Sequence, residues 1–296
     1  MSFIQLLLIC LLVLVWGVNF VVIKLGLDGF PPLFLVFTRF FLTSIPAVFF
    51  FKRPKAPFSK VVLYGLVIFA LQFSLFFIGM QLGMPPGLAA LVIQIHIFFS
   101  LILAVIFFRE KINFWQILGA IVSFLGIAYA GWHVSGQASL VGFILVIIAA
   151  AFWGCGSAIS KSIGKVNMVG LVVWGSLVAW PVLLAFSLLL EGPALILQSL
   201  ENISWVTAGS VCYLTYLSTL FGYGLWSWLL HHLPLSRVAP FTLFVPVVAM
   251  AASAWMFNEP LQTWKIYSSV LIIGGLVLNF LSSRFKKKKN DASLIT

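Results

Sequence analysis

The chain is predicted to be an all-α integral membrane protein of ten transmembrane helices arranged as two inverted five-helix repeats. Three observations predict this. First, 62% of the residues are hydrophobic and 8% charged, whereas a soluble surface needs about 25% charged residues. Second, ten apolar runs fill residues 3–284, each near the ~20 residues that cross a ~30 Å hydrocarbon layer. Third, the last five runs repeat the first five. Trp16, Gly17 and Lys24 recur as Trp153, Gly154 and Lys161, all at one offset. Pro85, Ala90, Glu110, Trp115 and Gly126 recur as Pro234, Ala239, Glu259, Trp264 and Gly275, all at a second, slightly larger offset. Five spans per copy is an odd number, so the second copy enters the bilayer from the opposite side. Inverted repeats that meet at the membrane midplane are a recurring plan of secondary transporters, because two equivalent packings give two faces of access.

The spans are read as 3–23, 32–51, 61–80, 87–108, 114–132, 139–160, 169–190, 205–230, 236–257 and 264–284. The first has no basic leader and no small-residue cleavage site, so it is read as helix 1 and not as a signal peptide. It carries Trp16 and Asn19 one turn apart on one face. Helix 2 follows Pro31 and Pro32, holds Arg39 and is interrupted by Pro46. Helix 3 carries Gln72. The short link from Gln81 to Pro86 makes helices 3 and 4 antiparallel neighbours. In helix 4, Gln94 and His96 are two residues apart, about 200° of rotation, and point oppositely.

Glu110 precedes helix 5, and a short uncharged joint over 132–139 leads to helix 6. There Trp153 and Ser157 share a face at i, i+4. Pro181 interrupts helix 7. The longest loop, 191–204, carries Glu191 and Glu201 and holds most of the insertion that separates the two offsets. In helix 8, Tyr216, Thr219, Tyr223 and Trp226 recur at i, i+3, i+7, i+10, one stripe of rings and hydroxyls. A lipid-facing surface needs no such hydroxyls, so the stripe is read as a cavity wall. Pro240 and Pro246 interrupt helix 9, and Glu259 precedes helix 10. The organisation is therefore a first repeat over 1–134, a second over 135–285 and a basic tail over 286–296.

The net charge of +11 is a topology signal and implies no nucleic-acid partner. One side of the bilayer collects Lys52, Arg53, Lys55, Lys60, Arg109, Lys111, Lys161, Lys165, Arg237, Arg284 and the run Lys286 to Lys289. The rest of the molecule has Lys24, Arg39 and Lys265. Basic loops stay inside, which puts both termini in the cytoplasm, with the tail against anionic lipid. Lys24 and Lys161 are expected to snorkel at span ends. Glu110 and Glu259 are expected to cap or complement the dipole of the helix that follows each. Cys10, Cys155 and Cys212 are read as small buried side chains without a disulfide.

Polar side chains inside spans are costly and mark a site or a cavity. The candidate substrate-binding residues are Trp16, Asn19, Gln72, Gln94, His96, Trp153, Ser157, Tyr216, Tyr223 and Trp226. Amides would hydrogen-bond a carboxylate or ammonium, and the rings would supply apolar walls and cation–π contact. His96 is read as neutral and bonded to a helix backbone, with proton coupling as the sharper alternative. For Arg39 an ion pair with Asp28 or Glu259 is expected, against snorkelling or carboxylate binding. No metal or cofactor is expected, since neither a His/Cys cluster nor a phosphate loop is present. With six acids and none paired inside a span, an enzyme is disfavoured. A channel would need a continuous polar stripe, and a carrier of phosphorylated sugars would need several cations in the cavity.

Several stretches resemble the EamA branch of the drug/metabolite transporter superfamily. They are Trp16 to Lys24, Pro31-Pro32-Leu33 with Arg39-Phe40, Gly83 to Ala90, Gly222-Tyr223-Gly224, Arg237 to Pro240, and Val245-Pro246-Val247. The likeness covers nearly the whole chain and is strongest to exporters of the O-acetylserine and cysteine type. It implies ten helices in two inverted repeats around a cavity lined by helices 1, 3, 4, 6, 8 and 9. It also implies a bacterial inner-membrane carrier of amino-acid metabolites, with other amino acids (aromatic, threonine or homoserine) or a channel-like facilitator as alternatives. The chain departs from the exporter pattern at His96, where a second Gln is expected, and at Ser157, where Asn is expected.

Overall fold

The computed structural model describes residues 2–134, 139–164, 166–258 and 262–292, and among these every regular element is helical. Ten long rods run in chain order. They are α1 (Phe3–Leu27), α2 (Pro32–Ser44, extended by a 3₁₀ turn Ala47–Phe49), α3 (Phe58–Gln81), α4 (Pro86–Phe108) and α5 (Phe114–Val134). Then follow α6 (Leu140–Ile163), α7 (Met168–Leu190), α8 (205–232), α9 (Ala239–Phe257) and α10 (Thr263–Ala292). A short helix, Pro193–Glu201, occupies what the sequence reads as the longest loop.

Over the described residues, nine of these rods are long and apolar enough to cross a bilayer. The exception is α8. It has the length, but Thr207, Ser210, Thr215, Ser218 and Thr219 dilute its hydrophobicity, and all five are buried. Buried hydroxyls in a span require protein neighbours rather than lipid.

The rods pack by a rule of exchange. α1 lies against α8 and α9, while α6 lies against α3 and α4. α2 packs on α3, α7 and α8, while α7 packs on α8, α2 and α3. The pairs α2–α7, α4–α9 and α5–α10 close the set. Replacing each helix by the one five places later returns these pairings.

The correspondence reaches single residues. A Cβ added at Gly17 would fall 2.5 Å from Val248 Cβ, and one at Gly154 would fall 2.6 Å from Phe99 Cβ. Gly17 and Gly154 are related by the first offset, and Phe99 and Val248 by the second. The absent side chain lets two helices approach backbone to backbone. Likewise Ser123 Oγ on α5 donates to the Ile272 carbonyl on α10, 2.9 Å away, and these two residues are also related by the second offset.

Proline marks fewer of the irregularities than expected. Pro46 ends α2, and Pro240 and Pro246 lie in or just after a 3₁₀ stretch of α9, Ala239–Phe244. Pro181, however, sits inside a continuous α7. α3 and α8 each contain a π stretch, Gly65–Gln72 and Tyr213–Phe221. α4 contains a 3₁₀ turn, Ile93–Ile95. None of these three breaks holds a proline, and each has its equivalent in the other half at the second offset.

Three expectations change at the helix ends. Asp28 pairs with Lys24 at 2.9 Å and not with Arg39. Glu110 does not cap α5; it pairs with Lys161 across the bundle. The α5 cap is a reciprocal pair in which Asn113 Oδ1 accepts from Gln116 N and Gln116 Oε1 accepts from Asn113 N. Glu191 reads in the sequence as a loop charge only, yet its carboxylate accepts from Leu33 N (2.6 Å), Phe34 N (3.0 Å) and Ser187 Oγ. A second-repeat acid thus satisfies orphan donors at the N-terminus of α2, where its charge also meets the helix dipole. The cysteines are free, but Cys10 and Cys212 are exposed on the bundle surface and Cys155 half-buried. Cys10 and Cys212 are small residues facing outward, not core filling. Glu259, Lys165 and the joint residues 135–138 lie outside the described residues, as do the side chains of the tail lysines.

Candidate functional site

Seven of the candidate residues fall into two packed groups. The first joins α1 and α8. Trp16 Nε1 donates to the Ser218 carbonyl at 3.2 Å, and Ser218 Oγ donates to Asn19 Oδ1 at 2.7 Å. Around the indole of Trp16 stand Tyr223, edge-on at 5.9 Å between ring centroids, and Trp226 at 5.7 Å. Gly222 makes room for that indole, since a Cβ there would meet Nε1 at 2.5 Å. Trp16, Asn19, Tyr223 and Trp226 are all half-buried.

The second group joins α4 and α6. The His96 ring stacks on Trp153 with centroids 4.4 Å apart and planes at 21°. His96 Nδ1 lies 2.9 Å from the Ile93 carbonyl. A carbonyl can only accept, so in a neutral imidazole Nδ1 holds the hydrogen and Nε2 offers a lone pair. Ser157 Oγ donates to the Trp153 carbonyl at 3.0 Å. Gln94 is buried within the 3₁₀ turn just before His96.

Gln72 ends the π stretch of α3 at 1% exposure, and its Oε1 has no hydrogen-bond partner. A buried carbonyl oxygen without a donor costs about 1–3 kcal/mol, so it is available to any donor that reaches it.

Tyr216 does not join either group. It is 46% exposed and shares the outer face of α8 with Cys212, Leu217, Phe221 and Trp228. The i, i+3, i+7, i+10 stripe assumes an α-helix throughout. The π stretch inserts an extra residue per turn and swings Tyr216 outward, while Thr215, Ser218 and Thr219 turn in.

Arg39 is the residue whose environment the sequence could not supply. It is 3% exposed on α2. Its Nε donates to Thr219 Oγ1 at 3.0 Å, and its guanidinium carbon lies 4.7 Å from the Phe73 centroid and 5.5 Å from that of Phe40. An apolar groove of about 450 Å³ between α4 and α5, lined by Phe98, Ile102, Ile121 and Phe124 among others, holds none of the candidate residues.

A family model described as "EamA-like transporter family" matches residues 3–132 and 140–281. The chain belongs to the EamA-like transporter family. Its fold resembles a solved crystal structure with a TM-score of 0.65 at 15% identity, covering 96% of this chain and 99% of that one. It is 38% identical to a "Probable amino-acid metabolite efflux pump" of Escherichia coli (strain K12), over 94% of this chain and 95% of that protein. To the protein so named in Salmonella typhimurium it is 39% identical over the same shares. As an EamA-like protein the chain is a multi-pass membrane transporter, and its partner is a small-molecule substrate.

Proposed function

We propose that the protein is a secondary carrier exporting small amino-acid metabolites, of the cysteine and O-acetylserine type, across a bacterial inner membrane. The names of the two similar efflux pumps support the substrate class. One observation supports the mechanism above others: the exchange of Gly17–Val248 for Gly154–Phe99 between matched helix pairs. Two halves that make the same contact in duplicate can trade packings at little cost. Rocking one five-helix repeat against the other would then open the site to either side in turn. On this reading all ten rods span the bilayer as inverted repeats.

The ends of the rods support the orientation. Lys60 Nζ donates to the Ser162 carbonyl at 2.7 Å, Lys161 pairs with Glu110, and Trp174 Nε1 donates to the Phe51 carbonyl at 2.9 Å. These contacts gather the basic loops at one end, the cytoplasmic end by charge. The Lys24–Asp28 pair and the Glu191 cap stand at the other.

The substrate site comprises Trp16, Asn19, Tyr223 and Trp226 on one side, His96, Trp153 and Ser157 on the other, with Gln72 and Gln94. A zwitterion carries one charge of each sign and asks for directed dipoles more than for many full charges. The amides serve as donors and acceptors, and the indoles of Trp16 and Trp153 offer π faces to an ammonium. Uptake of labelled cysteine, O-acetylserine, threonine and phenylalanine into inside-out vesicles, with and without a proton gradient, tests the proposal. Saturable uptake of the first two supports it. Saturable uptake of threonine or phenylalanine alone would move the substrate within the amino acids, and non-saturating flux would make the protein a channel.

A further inference from the structure

We propose that Arg39 is the anion anchor of the transport site, holding the substrate carboxylate beside Thr219. The inference deepens the exporter reading and rests on it. Arg39 sits seven residues into α2 from Pro32, about 10 Å at 1.5 Å per residue. The other Lys and Arg side chains described stand in loops or within about a turn of a helix end. Among the described residues Arg39 alone carries a permanent charge deep in a span.

Its charge has no counter-ion among the described carboxylates whose partners are known. Asp28 is held by Lys24, Glu110 by Lys161, and Glu191 by the N-terminus of α2. What Arg39 does have leaves part of the guanidinium free. Thr219 gives its own hydrogen to the Leu214 carbonyl at 2.7 Å, so its oxygen can only accept from Arg39 Nε. This fixes the fork. The Phe73 ring lies at cation–π distance from the guanidinium, which offsets part of the lost hydration. Nη1 is fully buried and makes no hydrogen bond.

A buried cation with an unsatisfied donor is expensive in a membrane protein and marks a ligand path or a missing partner. The Nη edge of a guanidinium matches a carboxylate in two parallel hydrogen bonds. A single cation suits one carboxylate and not a phosphate. Thr219, which holds Nε, directly follows Ser218, whose carbonyl accepts from Trp16 Nε1 and whose Oγ donates to Asn19. The anion site is therefore continuous with the α1–α8 group. At the matched position of the second repeat stands Ser176, buried and uncharged. The symmetry of the scaffold is broken where a substrate with one carboxylate requires it.

The test compares each amino acid with its analogue lacking the carboxylate, serine against ethanolamine and cysteine against cysteamine, as competitors of labelled O-acetylserine transport in proteoliposomes. The expected result is that wild type prefers the carboxylate-bearing member by at least tenfold in inhibition constant. Arg39→Gln should lose that preference. Arg39→Lys, which keeps the charge and guards against misfolding, should raise the KM for O-acetylserine about tenfold through loss of the second hydrogen bond. A purely structural arginine would change expression or rate but not the preference. Equal inhibition by both members in wild type, or an unchanged preference in Arg39→Gln or an unchanged KM in Arg39→Lys, overturns the anchor and leaves an exporter. If wild type carries none of these substrates, the exporter reading fails instead. Acetate would then decide for the anchor by raising the Tm of wild type but not of Arg39→Gln, and against it by raising neither or both.

Discussion

The two halves of the molecule share a backbone plan and differ in their polar side chains. In α1–α5 and α6–α10 the π stretches, the 3₁₀ stretches of α4 and α9, and the left-handed residues Arg109 (φ 53°) and Asn258 (φ 51°) stand at matched places along the chain. Both left-handed residues follow directly on helix C-termini, where such a conformation satisfies the last carbonyls. The side chains diverge. Asn19 is matched by Gly156, Arg39 by Ser176, Gln72 by Phe221, Gln94 by Leu243 and His96 by Val245. The second half answers with Ser218, Thr219 and Tyr223 on α8. Helix geometry is common to both halves because both must support the same packing, whereas the polar side chains are divided unequally between them.

The comparison can be broken most severely at the matched glycines. Gly17→Leu and Gly154→Leu should each force a helix pair apart and cost about 1–3 kcal/mol by overpacking. Thermal unfolding of purified protein should show drops of similar size for the two. A large effect for one and none for the other would mean that the contacts are not equivalent.

The polar positions should be asymmetric. Gln72→Ala or Asn19→Ala is expected to reduce transport about tenfold or more, the worth of one or two hydrogen bonds to a charged group, with membrane insertion unchanged. Phe221→Ala, at the matched place of Gln72 but on the outer surface, should leave transport near wild type. Unchanged transport by both polar variants at normal expression would remove Gln72 and Asn19 from the site.

Smaller effects are expected at the helix ends. Glu191→Gln removes a charged cap that joins the second repeat to α2, and its loss should cost about 1 kcal/mol. Glu110→Gln breaks a half-exposed ion pair, and a few tenths of a kcal/mol is expected. Comparison of the two Tm values should preserve that order. Least of all, Tyr216→Leu should leave transport unchanged while Tyr223→Leu lowers it; the reverse would restore the plain α-helical stripe along α8.

Much of the candidate site is legible in the sequence as a set of residues, because burying any polar group in lipid is costly whatever surrounds it. Its grouping is not. Trp16 and Asn19 can be assigned to one face, but their tie to Ser218 crosses from the first repeat to the second. The bond of His96 to its own helix backbone is local and expected, yet its stacking on Trp153 follows from the meeting of α4 and α6. The stripe reading fails at Tyr216 because π stretches carry no proline or other local sign.

By itself the sequence determined that the chain is helical, apolar and twofold repetitive, since these follow from composition and recurrence at fixed offsets. It also marked which polar residues needed a reason to be inside. Only the tertiary structure decided which carboxylate meets which cation, which donors remain free, and which face each helix presents. Those outcomes depend on contacts between residues far apart in the chain and on helix registers that neighbouring helices impose.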